Sequence, residues 1–172
     1  KNACQIAVIC YYRAIEEGSM KLSDILHKNG VFIKKEAISN KDELDFLITK
    51  IAKLTEHDKE TIAQAVFERE NKISTGIGFG IAVPHGRIKG WGTTTLAVLS
   101  GHQTIDYDAL DGEPLYMVFM FISDADNPFE HVNVLAKLSY VVSEENNMEL
   151  LKKAMNPDEY ILAVKNMEKI LK

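Results

Sequence analysis

Eight consecutive apolar residues constrain this chain more than any other stretch: Leu115-Tyr116-Met117-Val118-Phe119-Met120-Phe121-Ile122. The run has the length of one strand. With no polar position it has no face to give to water, so it reads as a central strand covered on both faces. The cover has to come from helices. Leu44, Leu47, Ile48, Ile51 and Leu54 repeat at i, i+3, i+4 and i+7, which is one apolar stripe of a helix. Strands and helices are mixed along the chain. The expected fold is α/β, a mixed central sheet flanked by helices in two or three layers.

The punctuation supports this order. Ser23 is a candidate cap for a short helix through His27 that Gly30 ends, followed by a strand at Val31–Ile33. Ser39 or Asn40 starts the next helix, and Asp58 caps a third that ends at 68–71. Thr93–Ser100 reads as a strand after a polar turn at Arg87–Gly92. Asn127-Pro128-x-Glu130 is a strong helix start, with Asn as cap, Pro in the first helical position and Glu130 able to reach back to the cap amide. Ser143 and Asn156-Pro157-x-Glu159 start two further helices, the last ending at Leu171. Residues 1–17 read as a helix broken by Gly18. The expected division is an extension or linker at 1–19 and one domain at 20–172.

Charge and cysteine content exclude several roles. A net charge of -5 argues against nucleic acid or an anionic membrane as the main partner. The two cysteines, Cys4 and Cys10, cannot form a disulfide framework for the other residues. No apolar run approaches the ~18 residues that span a bilayer, and the cytoplasm is the expected compartment.

Chemistry concentrates at residues 74–87, Ser-Thr-Gly-Ile-Gly-Phe-Gly-Ile-Ala-Val-Pro-His-Gly-Arg. Gly76, Gly78 and Gly80 can turn sharply and admit close neighbours. Pro84 suits a strand end. His85 is therefore expected where a buried strand gives way to an open loop. His131 falls in the first turn of the helix after Asn127, on the face of Leu135, Leu138 and Val142. Arg69 ends the helix before the glycines. A helix start favours negative charge and disfavours a charged imidazole. An arginine meets two phosphate oxygens at once. Together these groups suit a phosphoryl group.

Each has a plainer alternative. The glycines alone could be a structural turn, His131 a core histidine and Arg69 a solvated helix end. His27, His57 and His102 read as surface residues. A dinucleotide fingerprint fails, because the spacing is G-x-G-x-G rather than G-x-G-x-x-G. No Gly-Lys-Ser/Thr completes a phosphate-binding Walker loop. Two separated histidines support a zinc site weakly, and a serine hydrolase lacks its G-x-S-x-G.

Residues 68–87, Glu-Arg-Glu-Asn-Lys-Ile-Ser-Thr-Gly-Ile-Gly-Phe-Gly-Ile-Ala-Val-Pro-His-Gly-Arg, resemble the phosphorylation-site motif of fructose/mannitol-type enzyme IIA domains. These belong to the bacterial phosphoenolpyruvate-dependent sugar phosphotransferase system and include its nitrogen-regulatory branch. The likeness continues through Ile105-x-x-x-Ala109-Leu-Asp-Gly-Glu-Pro and Glu130-His131-x-x-x-Leu135-Ala136 and covers residues 20–172. Residues 1–19 have no counterpart in it.

The resemblance implies the enzyme IIA mannitol/fructose-type fold and a set of roles. His85 matches the histidine phosphorylated at Nε2, His131 the second active-site histidine, and Arg69 the arginine that flanks the phosphoryl group. Thr75 is a looser match for a phosphate donor. The phosphocarrier HPr is the implied phosphoryl donor and an enzyme IIB component the acceptor, with no cofactor or metal. The alternative is a nitrogen-regulatory protein whose phosphorylation state controls binding to regulatory partners.

Overall fold

The computed structural model describes residues 20–34, 40–78, 80–105, 109 and 111–170. The expected helix at 1–17, the boundary at 19 and the helix end at Leu171 lie outside them. In chain order the elements are α1 (Leu22–Ile25), β1 (Leu26–Lys34), α2 (Asn40–Thr55), α3 (Lys59–Glu70), β2 (Gly76–Gly78), β3 (Ile81–Ala82), β4 (His85–Ile88), β5 (Thr95–Ile105), β6 (Leu115–Asp124), α4 (Pro128–Ser143), α5 (Glu145–Lys153) and α6 (Pro157–Ile170).

The apolar run is the central strand, β6. One side of it pairs with β5, antiparallel; β1 lies beyond, parallel to β5. The other side pairs with β3 and then β4, both parallel, and β2 lies antiparallel outside β3. The sheet is mixed, as the sequence led us to expect. Alternation along β6 divides the core. Met117, Phe119 and Phe121 pack with Val134, Leu138, Leu151, Tyr160 and Val164 of α4–α6. Val118, Met120 and Ile122 pack with Leu44, Leu47, Ile51, Ile62 and Val66 of α2 and α3. Three layers result, and residues 117–122 of β6 are apolar throughout because neither face of the strand meets solvent there.

β3 and β4 follow one track. Ile81 pairs with Met117 and Ala82 with Val118; His85 pairs with Phe121 and Gly86 with Ile122. The offset is 36 in every pair, so Val83 and Pro84 interrupt the strand without shifting it. Pro84 keeps a bond to β6 through its carbonyl, which accepts from Phe121 N at 3.2 Å. Its missing N–H costs no pairing, since among the described residues β4 pairs with β6 alone. His85 is therefore the first residue of a paired edge strand. It does not stand where a strand gives way to a loop, and the polar turn begins after Ile88 rather than at Arg87.

Several local expectations need correcting. The first helix ends at Ile25. Ser23 does not cap it; its hydroxyl donates to Glu168 Oε2 at 2.6 Å, and Asp24 takes the Lys21 N–H instead. β1 begins at Leu26 and passes Gly30 with a register shift before Val31. Ser143 closes α4, donating to Tyr140 O at 3.0 Å, and starts no helix. Glu130 reaches back to the side-chain amide of Asn127 (2.9 Å) and accepts from Thr94 N (3.2 Å), rather than bonding the cap's backbone amide. The Asp58 cap is as expected, accepting from Thr61 N at 2.8 Å. Among the described residues no helix is long and apolar enough to cross a membrane.

Gly80 is fixed by two requirements at once. Its φ is +75°, and a Cβ there would stand 2.3 Å from Tyr116 Cδ2. Gly80→Ala should lower the unfolding free energy by about 2–4 kcal/mol, from left-handed strain plus overpacking. Urea unfolding of the purified variant measures this; a loss under about 1 kcal/mol would show that the turn relaxes freely.

Candidate functional site

Period two along β4 sends consecutive side chains to opposite faces. His85 points to the face of α4, and its ring stacks on Phe121 with centroids 5.1 Å apart and planes at 15°. Gly86 points to the other face, where a Cβ would meet Ala65 Cβ of α3 at 2.9 Å. The missing side chain lets α3 lie directly on β4. α3 then delivers Arg69, in its last turn, around the sheet edge. Arg69 Nε donates to His85 Nε2 at 3.1 Å, and Nη1 donates to Ile73 O at 2.9 Å.

The hydrogen bonds determine the tautomer of His85. Nδ1 lies 2.7 Å from Val83 O, a carbonyl that can only accept, so Nδ1 carries the hydrogen. Nε2 then holds the lone pair, consistent with its accepting from Arg69. Burial pulls the His85 pKa below its ordinary value; the Val83 bond opposes this, the Arg69 charge adds to it, and Glu70 opposes it. A neutral imidazole with a directed Nε2 lone pair is a nucleophile near pH 7.

His131 comes from the opposite element. Asn127 caps α4 by accepting from Glu130 N at 3.2 Å, with Pro128 next. That puts His131 in the first turn, its ring 5.1 Å from His85 and 5.2 Å from Phe121. Its Nδ1 lies 2.7 Å from Ser123 Oγ. Burial, then the charges of His85, Arg87 and Arg69, hold its pKa down at about 4. Arg69, His85, His131 and Arg87 line one open cleft of about 500 Å³ beside α3.

The structure thus gathers three of the four expected residues. Thr75 sits one step away. It is buried, its hydroxyl and N–H both donate to Glu70 (2.5 and 2.9 Å), and its carbonyl accepts from Val83 N. Its described contacts support the strand under His85, and it is not among the residues lining the cleft. The glycines make no open cradle either, since Asp111 and Tyr116 crowd Gly78 and Gly80. Sequence reasoning gave no role to Arg87, Ser123 or Glu70. Ser123 was the findable one, the first polar residue after the apolar run of β6. Among the described residues no three His, Cys, Asp or Glu side chains converge to hold a metal. The gathered charge is cationic and suits an anion.

A depressed histidine pKa makes stability depend on pH. Between about 6.5 and 4 the unfolded chain binds a proton that the folded ring of His131 refuses. Its contribution is complete above that window and is lost as pH falls through it. Thermal melts from pH 7.5 to 4.5 should show a falling midpoint, with a shallower fall in His131→Gln. Equal slopes would show that the ring is not held neutral.

Comparison with known proteins places the chain in a family. Residues 24–167 match the family "Phosphoenolpyruvate-dependent sugar phosphotransferase system, EIIA 2". The PTS system fructose-specific EIIABC component of Bacillus subtilis (strain 168) is 28% identical over 151 residues, 87% of this chain and 24% of that protein, so the chain spans about a quarter of that relative. The nitrogen regulatory protein of Pseudomonas aeruginosa is 30% identical over 136 residues, 78% of this chain and 88% of that protein. The crystal structure of nitrogen regulatory protein IIA-Ntr from Neisseria meningitidis superposes with a TM-score of 0.76 at 26% identity, covering 83% of this chain and 98% of that one. With the match running through α3, the β3–β4 track and α4, the chain belongs to the EIIA 2 family of the phosphoenolpyruvate-dependent sugar phosphotransferase system.

Proposed function

We propose that residues 20–172 form a histidine phosphocarrier, in which His85 accepts a phosphoryl group from HPr and passes it to an enzyme IIB component. The observation that carries this reading is the pair of bonds on His85. One holds the hydrogen on Nδ1, and the other sets an arginine against the Nε2 lone pair. In-line transfer forms the Nε2–P bond as the bond from phosphorus to the donor breaks. Nε2 has to be free for that step, so Arg69 moves off the ring nitrogen and onto the phosphoryl oxygens. His131 offers a second hydrogen bond to those oxygens, and Arg87 adds charge. No metal is needed where cations already balance the group.

The rim suits partners that come and go. Ile73 (56% exposed), Ile77 (45%), Phe129 (68%) and Val132 (48%) are large apolar residues left to solvent, adjacent in the chain to the elements that carry the site. Apolar residues around a charged centre give a modest docking face for two partners in turn.

A regulatory reading stands second, favoured by the relative that matches over 88% of its length and is named a nitrogen regulatory protein. Here the phosphorylation state of His85 sets affinity for a regulatory protein. A phosphoryl group adds up to about two negative charges to a cleft now lined by cations.

Purified chain is incubated with HPr carrying labelled phosphate, then offered a panel of IIB proteins. His85→Ala should take no label, and label retained there would overturn the proposal. Arg69→Lys should slow transfer by roughly 10- to 100-fold, the value of a charged hydrogen bond. His131→Ala should slow it by about 10²-fold; an unchanged rate would remove His131 from the site. Onward transfer to a IIB favours uptake. Phosphorylation-dependent binding of a regulatory protein without transfer favours regulation.

A further inference from the structure

His131 faces the cleft with one ring nitrogen and the sheet with the other. Nδ1 is taken by Ser123 Oγ at 2.7 Å. Ser123 is fully buried on β6, paired across the strands with Arg87 and two residues beyond Phe121. The ring is held by Ser123 at its Nδ1 and by a tilted contact with the Phe121 ring, centroids 5.2 Å apart and planes at 48°. Nε2 is left for the cleft.

A neutral imidazole has one N–H, and the partner of one nitrogen decides which carries it. A carbonyl can only accept; Val83 thereby forces the hydrogen of His85 onto Nδ1. A serine hydroxyl can donate as well. When it donates to Nδ1, the ring hydrogen must be on Nε2. The choice matters because phosphoryl oxygens carry lone pairs only. A ring with a bare Nε2 would repel them. Burial and the neighbouring charges of His85, Arg87 and Arg69 keep the ring from holding hydrogens on both nitrogens.

We propose that Ser123 is a positioning residue, donating its hydroxyl hydrogen to His131 Nδ1 and so holding the ring hydrogen on Nε2, where it bonds an oxygen of a phosphoryl group on His85. The two histidines are then opposite tautomers with complementary tasks. His85 presents a lone pair to phosphorus, and His131 presents a hydrogen to oxygen. This rests on the phosphocarrier reading for its use, though not for the tautomer itself.

The first measurement needs no phosphoryl group. Long-range proton–nitrogen spectra of the chain labelled at histidine with ¹⁵N, at pH 7.5, should give His131 the Nε2–H pattern. Ser123→Ala should lose it, and Ser123→Thr, which keeps the hydroxyl, should restore it. A wild-type Nδ1–H pattern, or an alanine variant with unchanged nitrogen shifts, overturns the proposal. The second measurement is phosphotransfer from HPr. Ser123→Ala should be slower by roughly tenfold or more, with little further loss when combined with His131→Ala. An unchanged rate, or full additivity of the two changes, also overturns it. A wild-type chain that takes no label overturns the phosphocarrier reading instead. The two failures are distinguishable, because the nitrogen spectra are read without phosphate.

Discussion

The site depends on the pairing of residues 81–88 with β6. One parallel register runs through Ile81, Ala82, His85 and Gly86, unbroken by Pro84. Strand alternation then assigns His85 to the face of α4 and Gly86 to the face of α3. The histidine receives an aromatic floor from Phe121 and a second imidazole from the start of α4. The glycine receives a helix at backbone contact distance, and that helix brings the arginine. A slip of one residue would exchange the two faces and lose all of these neighbours together.

Electrostatics at the site work by exclusion rather than attraction. The cleft gathers Arg69, Arg87 and two imidazoles. Fixed positive charge and burial keep both rings short of protons. The ring of His85 stays nucleophilic for that reason. A positive cleft is costly without an anion, and α4 adds the positive end of its dipole. Stability is thus partly given up at the place where an anion would recover it.

Much of this was legible in the sequence, and the failures have physical causes. The β6 run, the stripe of α2, the Asp58 cap and the start at Asn127-Pro128 all behaved as their chemistry dictates. The grouping of Arg69, His85 and His131 was expected from their chemistry as parts of a phosphoryl site, and the motif resemblance added a role for each; spacing alone could not bring them together, because the three lie on three separate elements. Pro84 lies at a strand end as expected, but no open loop follows it, because pairing with β6 resumes at His85. Ser23 and Ser143 misled because a hydroxyl beside a helix end has other acceptors, here Glu168 and Tyr140 O. Glu70 bonds Thr75 five residues on and Ser123 meets His131 eight residues on, separations that neither helix nor strand periodicity encodes.

The bond from Arg69 Nε to His85 Nε2 has a consequence for selectivity on the phosphocarrier reading. In the resting chain the nucleophile is latched by its own arginine. An incoming group that offers the guanidinium a better acceptor than a ring nitrogen favours its release, and phosphate oxygens are such acceptors. A discharged partner docking on the same rim brings no such acceptor, and the latch stays shut.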